Sequence, residues 1–197
     1  GRLRSELRKL GSADNTLLFF CSDNGPEGQT GKAPGSAGHL SGRKRSLLEG
    51  GIRVPGLVEW PSHIKPGRTT DIPCVTSDYL PTILEIIGAE QTDKRPLDGI
   101  SLVPLFKGKM KERGQPIGFQ SAGQVALISD RYKIYGSDGR KKEHEITLPK
   151  LKLFDIKNDP SEKKDLAAQH PDIIKKMVAT LKQWRESCRH SDTGGDY

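Results

Sequence analysis

The chain reads as an α/β fold with a mostly parallel sheet, followed by a small antiparallel sheet packed on a helix. Three observations carry that reading. An apolar run over residues 16–21 stops abruptly at Ser22-Asp23-Asn24-Gly25-Pro26. Near-continuous apolar runs of this length are what buried parallel strands carry. A second stretch, 77–88, has helical period, with Leu80, Ile83, Leu84 and Ile87 at i, i+3, i+4 and i+7. Beyond Gly108 the character shifts to short apolar segments separated by turn formers, which predicts sequential antiparallel strands.

Taken in order, residues 2–10 place Leu3, Leu7 and Leu10 on one helical face, and Gly11 supplies a C-terminal stop. This helix has no N-terminal cap, and one helix before a first strand does not begin a doubly wound sheet. The expectation is therefore a fragment of a longer chain, cut within a helix. The glycine-rich stretch 26–42 reads as a long loop in which the backbone can pass close to a bound group, or as a mobile surface loop. His39 within it is expected to be a solvent-exposed loop histidine. Residues 53–61 predict another core strand, closed by Pro61, and Pro66-Gly67 marks a turn. In the helix over 77–88, Ser77 is a candidate N-cap and Gly88 a candidate C′ residue. This helix is expected to pack on the sheet. A charged linker covers 109–115. Strands are predicted over 117–120, 124–129, 132–135 and 152–154, with a turn at Asp138-Gly139. A last helix over 171–187 presents Ile174, Met177, Val178, Leu181 and Trp184 as an apolar stripe. These elements divide the chain into a first part, 1–108, belonging to the larger α/β unit, and a small α+β part, 109–197.

Composition bounds the function classes. Across 197 residues the formal charge is +7 and the apolar fraction is 33%. Lys and Arg are scattered among Asp and Glu, which fits a solvated basic surface; attraction to a polyanion such as a sulfated glycan is the alternative. The basic runs Arg43-Lys44-Arg45 and Arg140-Lys141-Lys142 lack aromatic interleaving, so nucleic acid is not an expected partner. Cys21, Cys74 and Cys188 are widely spaced and show no zinc or redox pattern. No signal peptide, membrane span or lipidation motif is visible, and no membrane partner is expected.

Asp23 and Asn24 sit where the first apolar run ends, the position at which open α/β sheets gather ligands. They offer one anionic and one neutral oxygen side by side, which suits a hard cation such as Ca²⁺. Asx-Gly is also a common turn former, so these residues alone leave both readings open. The next segments are more specific: a lysine flanked by a glycine-rich approach, Gly42-Arg43-Lys44-Arg45, and then Glu49-Gly50-Gly51-Ile52-Arg53-Val54-Pro55. With Ser22-Asp23-Asn24-Gly25, these segments in this order resemble the sulfatase family, hydrolases of sulfate esters on an alkaline-phosphatase-like α/β fold. Leu97-Asp98-Gly99-Ile100 and Leu153-Phe154-Asp155 also resemble the family pattern.

The resemblance implies that Asp23 and Asn24 are metal ligands for Ca²⁺, that Lys44 contacts the sulfate group, and that 49–55 is mainly architectural. It implies a formylglycine nucleophile, made from a Cys/Ser-x-Pro-x-Arg motif that this chain does not contain. That motif, further acidic ligands and catalytic histidines are expected in a missing N-terminal part of the same enzyme, so the chain alone is expected to be inactive. A sulfated small molecule or glycan is the implied substrate, and an exported, periplasmic or lysosomal-type compartment the implied location. Two alternatives stand beside this reading: a phosphatase or phosphodiesterase of the same fold, and a non-catalytic binder of sulfated polyanions. Asp155 and Asp159 are expected to form a β-turn rather than a metal loop, given Pro160 and the lack of further ligands.

Overall fold

A computed structural model describes residues 1–28, 34–93, 95–137 and 150–196. Helix α1 (Arg2–Lys9) ends as its sequence predicts, with Gly11 at φ 67° just beyond it. The Arg4 guanidinium pairs with Glu59 at 2.6 Å and ties the helix to the first sheet.

That sheet corrects the parallel expectation. Strand β1 (Leu18–Cys21) pairs with β2 (Gly56–Glu59), and the two run antiparallel, Leu18 opposite Glu59 and Cys21 opposite Gly56. No parallel pair is present among the described residues. An apolar run encodes burial, not strand direction, and nothing in 16–21 specifies how its neighbour runs. Nor is the ribbon buried: the cross-strand pair Phe20 and Leu57 is 65% and 66% exposed.

Between the strands lies a one-turn helix, α2 (Glu49–Ile52), whose Glu49, Gly50 and Gly51 are buried. Helix α3 (Tyr79–Ile87) ends at Gly88 in the left-handed conformation, φ 67°. Its start is set by Asp78 rather than Ser77. The Asp78 carboxylate accepts the backbone N–H groups of Val75 and Ile100, each at 2.9 Å, and both nitrogens of the Arg113 fork at 2.7 Å. The ring of Tyr79 stacks on Phe19 of β1 with centroids 4.3 Å apart. The predicted apolar stripe Leu80, Ile83 and Ile87 is exposed. Helix α4 (Val103–Phe106) follows and buries Val103 and Phe106.

Strands β3 (Ile117–Ser121), β4 (Gln124–Ile128), β5 (Tyr132–Ser137) and β6 (Lys152–Asp155) form one antiparallel sheet in sequence order. Period-2 alternation assigns its two faces. Val125, Leu127, Ile134 and Leu153 point to helix α5 (Pro171–Asp192), where Met177 and Leu181 complete a buried cluster. Ile117, Ile128 and Phe154 point the other way, toward Leu48, Ile52 and Val75. Each fully buried aliphatic side chain here contributes about 1.5–3 kcal/mol. The β3–β4 hairpin turns through Ala122 (φ 47°) and Gly123 (φ 74°), both positive, as a two-residue type I′ turn demands. The expected turn at Asp138-Gly139 and the basic run Arg140-Lys141-Lys142 lie outside the described residues.

The second sheet face carries a charge as well. Lys133, on β5 between Tyr132 and Ile134, points toward α2 by the same alternation. Its ammonium is fully buried, 2.9 Å from Glu49 and 2.8 Å from Glu162. Glu162 Oε2 also accepts the backbone N–H of Glu49 at 2.7 Å. With Asp78–Arg113, this cluster stitches the 109–197 part to the first part through buried ion pairs. All three cysteines are free, and Cys21 accepts a hydrogen bond from the Tyr79 hydroxyl at 3.3 Å. No described helix is long and apolar enough to cross a membrane.

Candidate functional site

The loop leaving β1 and the loop carrying Lys44 are both lashed to α2. Gly25 N–H donates to the Gly51 carbonyl at 2.8 Å, and Gly50 N–H donates to the Ser41 carbonyl at 2.6 Å. Lys44 N–H donates to the Pro26 carbonyl at 3.1 Å, joining the two loops directly. This approach is open only to glycine. A Cβ on Gly25 would overlap the Gly50 carbonyl, one on Gly50 would overlap the Gly42 and Ser41 carbonyls, and one on Gly51 those of Ser46 and Arg43. The Glu-Gly-Gly-Ile segment is thus the clamp that holds 23–26 against 41–46.

Asp23 and Asn24 stand at the exposed end of β1. Asn24 Nδ2 donates to Asp23 Oδ2 at 2.6 Å, and the Ser22 hydroxyl donates to the Asn24 carbonyl at 2.9 Å. Partial loss of water raises the Asp23 carboxyl. The backbone N–H groups of Asp23 and Asn24, the Lys44 ammonium and the Ser22 hydroxyl outweigh this and hold it below the usual carboxylate value. The Lys44 charge therefore acts on the Asp23 carboxylate, although the two are far apart in sequence.

The three consecutive cations converge on Glu27. Arg43 donates to the Glu27 carbonyl at 3.0 Å and the Gly35 carbonyl at 3.3 Å, so it braces the loop. Arg45, at φ 75°, pairs with the Glu27 carboxylate, and Lys44 Nζ lies 3.5 Å from the same carboxylate. The Arg45 hydrogen bond foremost holds Glu27 below its ordinary value, with help from the Lys44 charge. The Lys44 side chain remains 38% exposed, reachable from solvent.

Sequence reasoning missed Glu27, yet a signal was there: it is the only carboxylate between Asp23 and Glu49, in a loop that carries three adjacent cations. It also missed Lys133, Arg113 and Gln124, whose partners lie too far along the chain to be read locally. His39 is exposed, as expected. Asp155 is taken up by Arg131 at 2.7 Å and by Asn158 at 2.9 Å, with Asn158 and Asp159 N–H groups closing a turn on its carbonyl.

The donor chemistry at Asp23 and Asn24 fits a hard cation: two oxygens of different charge at an accessible strand end. Among the described residues there is no group of three or more His, Cys, Asp or Glu able to hold a metal ion.

Comparison with known proteins agrees with this layout. Residues 38–187 match the family model described as N-sulphoglucosamine sulphohydrolase, C-terminal. The chain is 31% identical to steryl-sulfatase of Rattus norvegicus over 92% of its length, and 32% identical to arylsulfatase A of Bos taurus over 93%. It spans only 37% and 39% of those two proteins, about two-fifths. Among solved structures, Ps i-CgsB superposes with a TM-score of 0.77 at 30% identity, over 95% of this chain and 40% of that one. The same protein is known in complex with k-i-k-neocarrahexaose. A structure of BT4656 in complex with its substrate D-glucosamine-2-N,6-O-disulfate shares the fold, with a TM-score of 0.71 at 21% identity, over 98% of this chain and 38% of that one. The motifs at 22–25 and 49–55, the match over 38–187 and the likeness to the C-terminal two-fifths of several hydrolases converge: the chain belongs to the sulfatase family, as its C-terminal region.

Proposed function

We propose that the chain forms the second half of a site that hydrolyses sulfate esters. In this reading Asp23 and Asn24 donate two oxygens to Ca²⁺, and Lys44 holds a sulfate oxygen. The observation that carries it is the lashing of both loops to α2, with Lys44 N–H donating to the Pro26 carbonyl so that the Lys44 turn lies against the loop of Asp23 and Asn24. A bound Ca²⁺ supplies Lewis-acid polarisation of sulfate oxygens. The lysine ammonium is a compact charge with three donors, suited to offset negative charge as the S–O bond breaks. Glu27, 3.5 Å from the Lys44 ammonium, orients it, while Arg43 and Arg45 hold the loop in shape. The substrate class is a sulfated small molecule or glycan, a reading supported by the ligands seen on Ps i-CgsB and BT4656.

The nucleophile belongs to upstream sequence, so the 197-residue chain alone is expected to show no aryl-sulfate turnover. Its Ca²⁺ affinity is expected to be weak, because two ligands leave most of a coordination shell of about six to eight oxygens unfilled. Calorimetry that found sub-micromolar Ca²⁺ binding to the chain would contradict this. When the chain is expressed together with the upstream part of the enzyme, Lys44→Ala is expected to lower kcat by about 10²–10³, as loss of one preorganised charge-stabilising donor does. Asp23→Ala is expected to abolish turnover. Full turnover by the Lys44→Ala enzyme would remove the basis of the assignment.

A further inference from the structure

The Lys44 turn is held from outside the first part of the chain. Gln124 opens β4, directly after the Ala122-Gly123 turn, and its carboxamide reaches across to the turn backbone on the C-terminal side of Lys44. Its Oε1 accepts the Leu47 N–H at 3.1 Å, and its Nε2 donates to the Arg45 carbonyl at 2.8 Å. The Tyr135 hydroxyl donates to the same Oε1 at 3.2 Å. The amide orientation is fixed by the other two bonds: flipped, its NH2 would face the Leu47 N–H and its oxygen the Arg45 carbonyl. On the other side of the turn, Lys44 N–H is held by Pro26 and Ser46 N–H by the Arg43 carbonyl. Arg45 is kept at φ 75°, a conformation a non-glycine residue adopts only when its surroundings enforce it. Gln124 bridges both ends of the Arg45–Leu47 segment, as a rung of β-ladder would.

The geometry points to Gln124 as the positioning residue for Lys44. The C-terminal sheet, through one carboxamide, sets the conformation of the turn that aims the ammonium at the site. That the ammonium is aimed at a sulfate rests on the function proposed above; that Gln124 aims it does not.

The test uses the 197-residue chain and reads no sulfate ester or metal. Amide hydrogen exchange is measured together with the ¹³C resonance of the reductively dimethylated Lys44 amine, assigned with Lys44→Arg. In Gln124→Ala the Leu47 amide is expected to exchange about tenfold faster, the loss of one ordinary hydrogen bond. The Lys44 resonance is expected to move toward its unstructured position, while Val125 and Leu127 amides in the same strand stay protected. In Gln124→Glu the ionised carboxylate still accepts the Leu47 N–H but meets the Arg45 carbonyl with no donor, so the Lys44 resonance is expected to move and to return, relative to the natural chain at the same pH, once the acid is protonated. A protonated acid again offers one acceptor and one donor. Unchanged Leu47 exchange in Gln124→Ala overturns the inference. So does a Lys44 resonance that stays put while Leu47 exchange accelerates, or an equal loss of protection along β4, which would make Gln124 merely structural. Since no readout depends on turnover, this result and that of Lys44→Ala in the active enzyme stand or fall separately.

Discussion

At the scale of single residues, the charges that look most like surface decoration do the most to hold the chain together. Lys133 is one of 32 Lys and Arg residues, and its ammonium is buried between two glutamates. Burial pushes the Glu162 carboxyl above its ordinary value, and the Lys133 charge works in the opposite direction. Lys133→Met removes the ammonium between Glu49 and Glu162, leaving Glu49 only the half-exposed Arg53 at 3.6 Å, and is expected to cost about 3–5 kcal/mol near neutral pH. Removing the ammonium raises the Glu162 value further, so the folded form of the variant binds protons that the unfolded form does not. Its stability is then retained below the ordinary glutamate range and lost as pH rises through the raised value. Urea unfolding across a pH series is expected to show the deficit shrinking on acidification. A deficit independent of pH would mean that the two carboxylates are not the source of the cost.

At the scale of elements, α2 is only one turn long, yet the site depends on it. Its hydrogen bonds run to Gly25 and Ser41, and its two glycines admit backbone carbonyls where any side chain would collide. Gly51→Ala is expected to lower the unfolding free energy by about 1–3 kcal/mol, the usual cost of forcing a close-packed spot apart. It is also expected to shift the amide resonances of Gly25 and Lys44 together. A shift confined to one loop would mean that α2 does not couple them. The four-stranded sheet and α5 were legible in the sequence because alternation, turn residues and helical period all act locally. β1 was legible as a strand but not in its direction, since a run of apolar residues carries no information on how its partner runs. The 22–25 and 49–55 segments pointed to the family because Gly and Asx types at fixed spacing leave a pattern. The Gln124 and Glu162 contacts were not, because their partners lie 77 and 113 positions away.

At the scale of the whole molecule, apolar side chains on two elements are bare. Phe20, Leu57 and Val58 on the ribbon, and Leu80, Ile83 and Ile87 on α3, are exposed. Several large apolar side chains left bare favour association with another surface or aggregation. The isolated chain is expected to associate with rising concentration and to bind an apolar dye. Ile83→Gln with Ile87→Gln is expected to reduce both while leaving the melting temperature nearly unchanged, since neither side chain is packed. Sedimentation velocity and dye fluorescence check this, and a large drop in melting temperature would show that those side chains are already covered. The Glu49–Lys133–Glu162 cluster bears on engineering. It draws Glu49 together with Lys133 and Glu162, 84 and 113 positions further along, so a chimaera joining two relatives anywhere between these positions inherits the charges from different parents. Unless both parents carry matching partners there, the hybrid seals a lone charge in its interior, however well the backbones align.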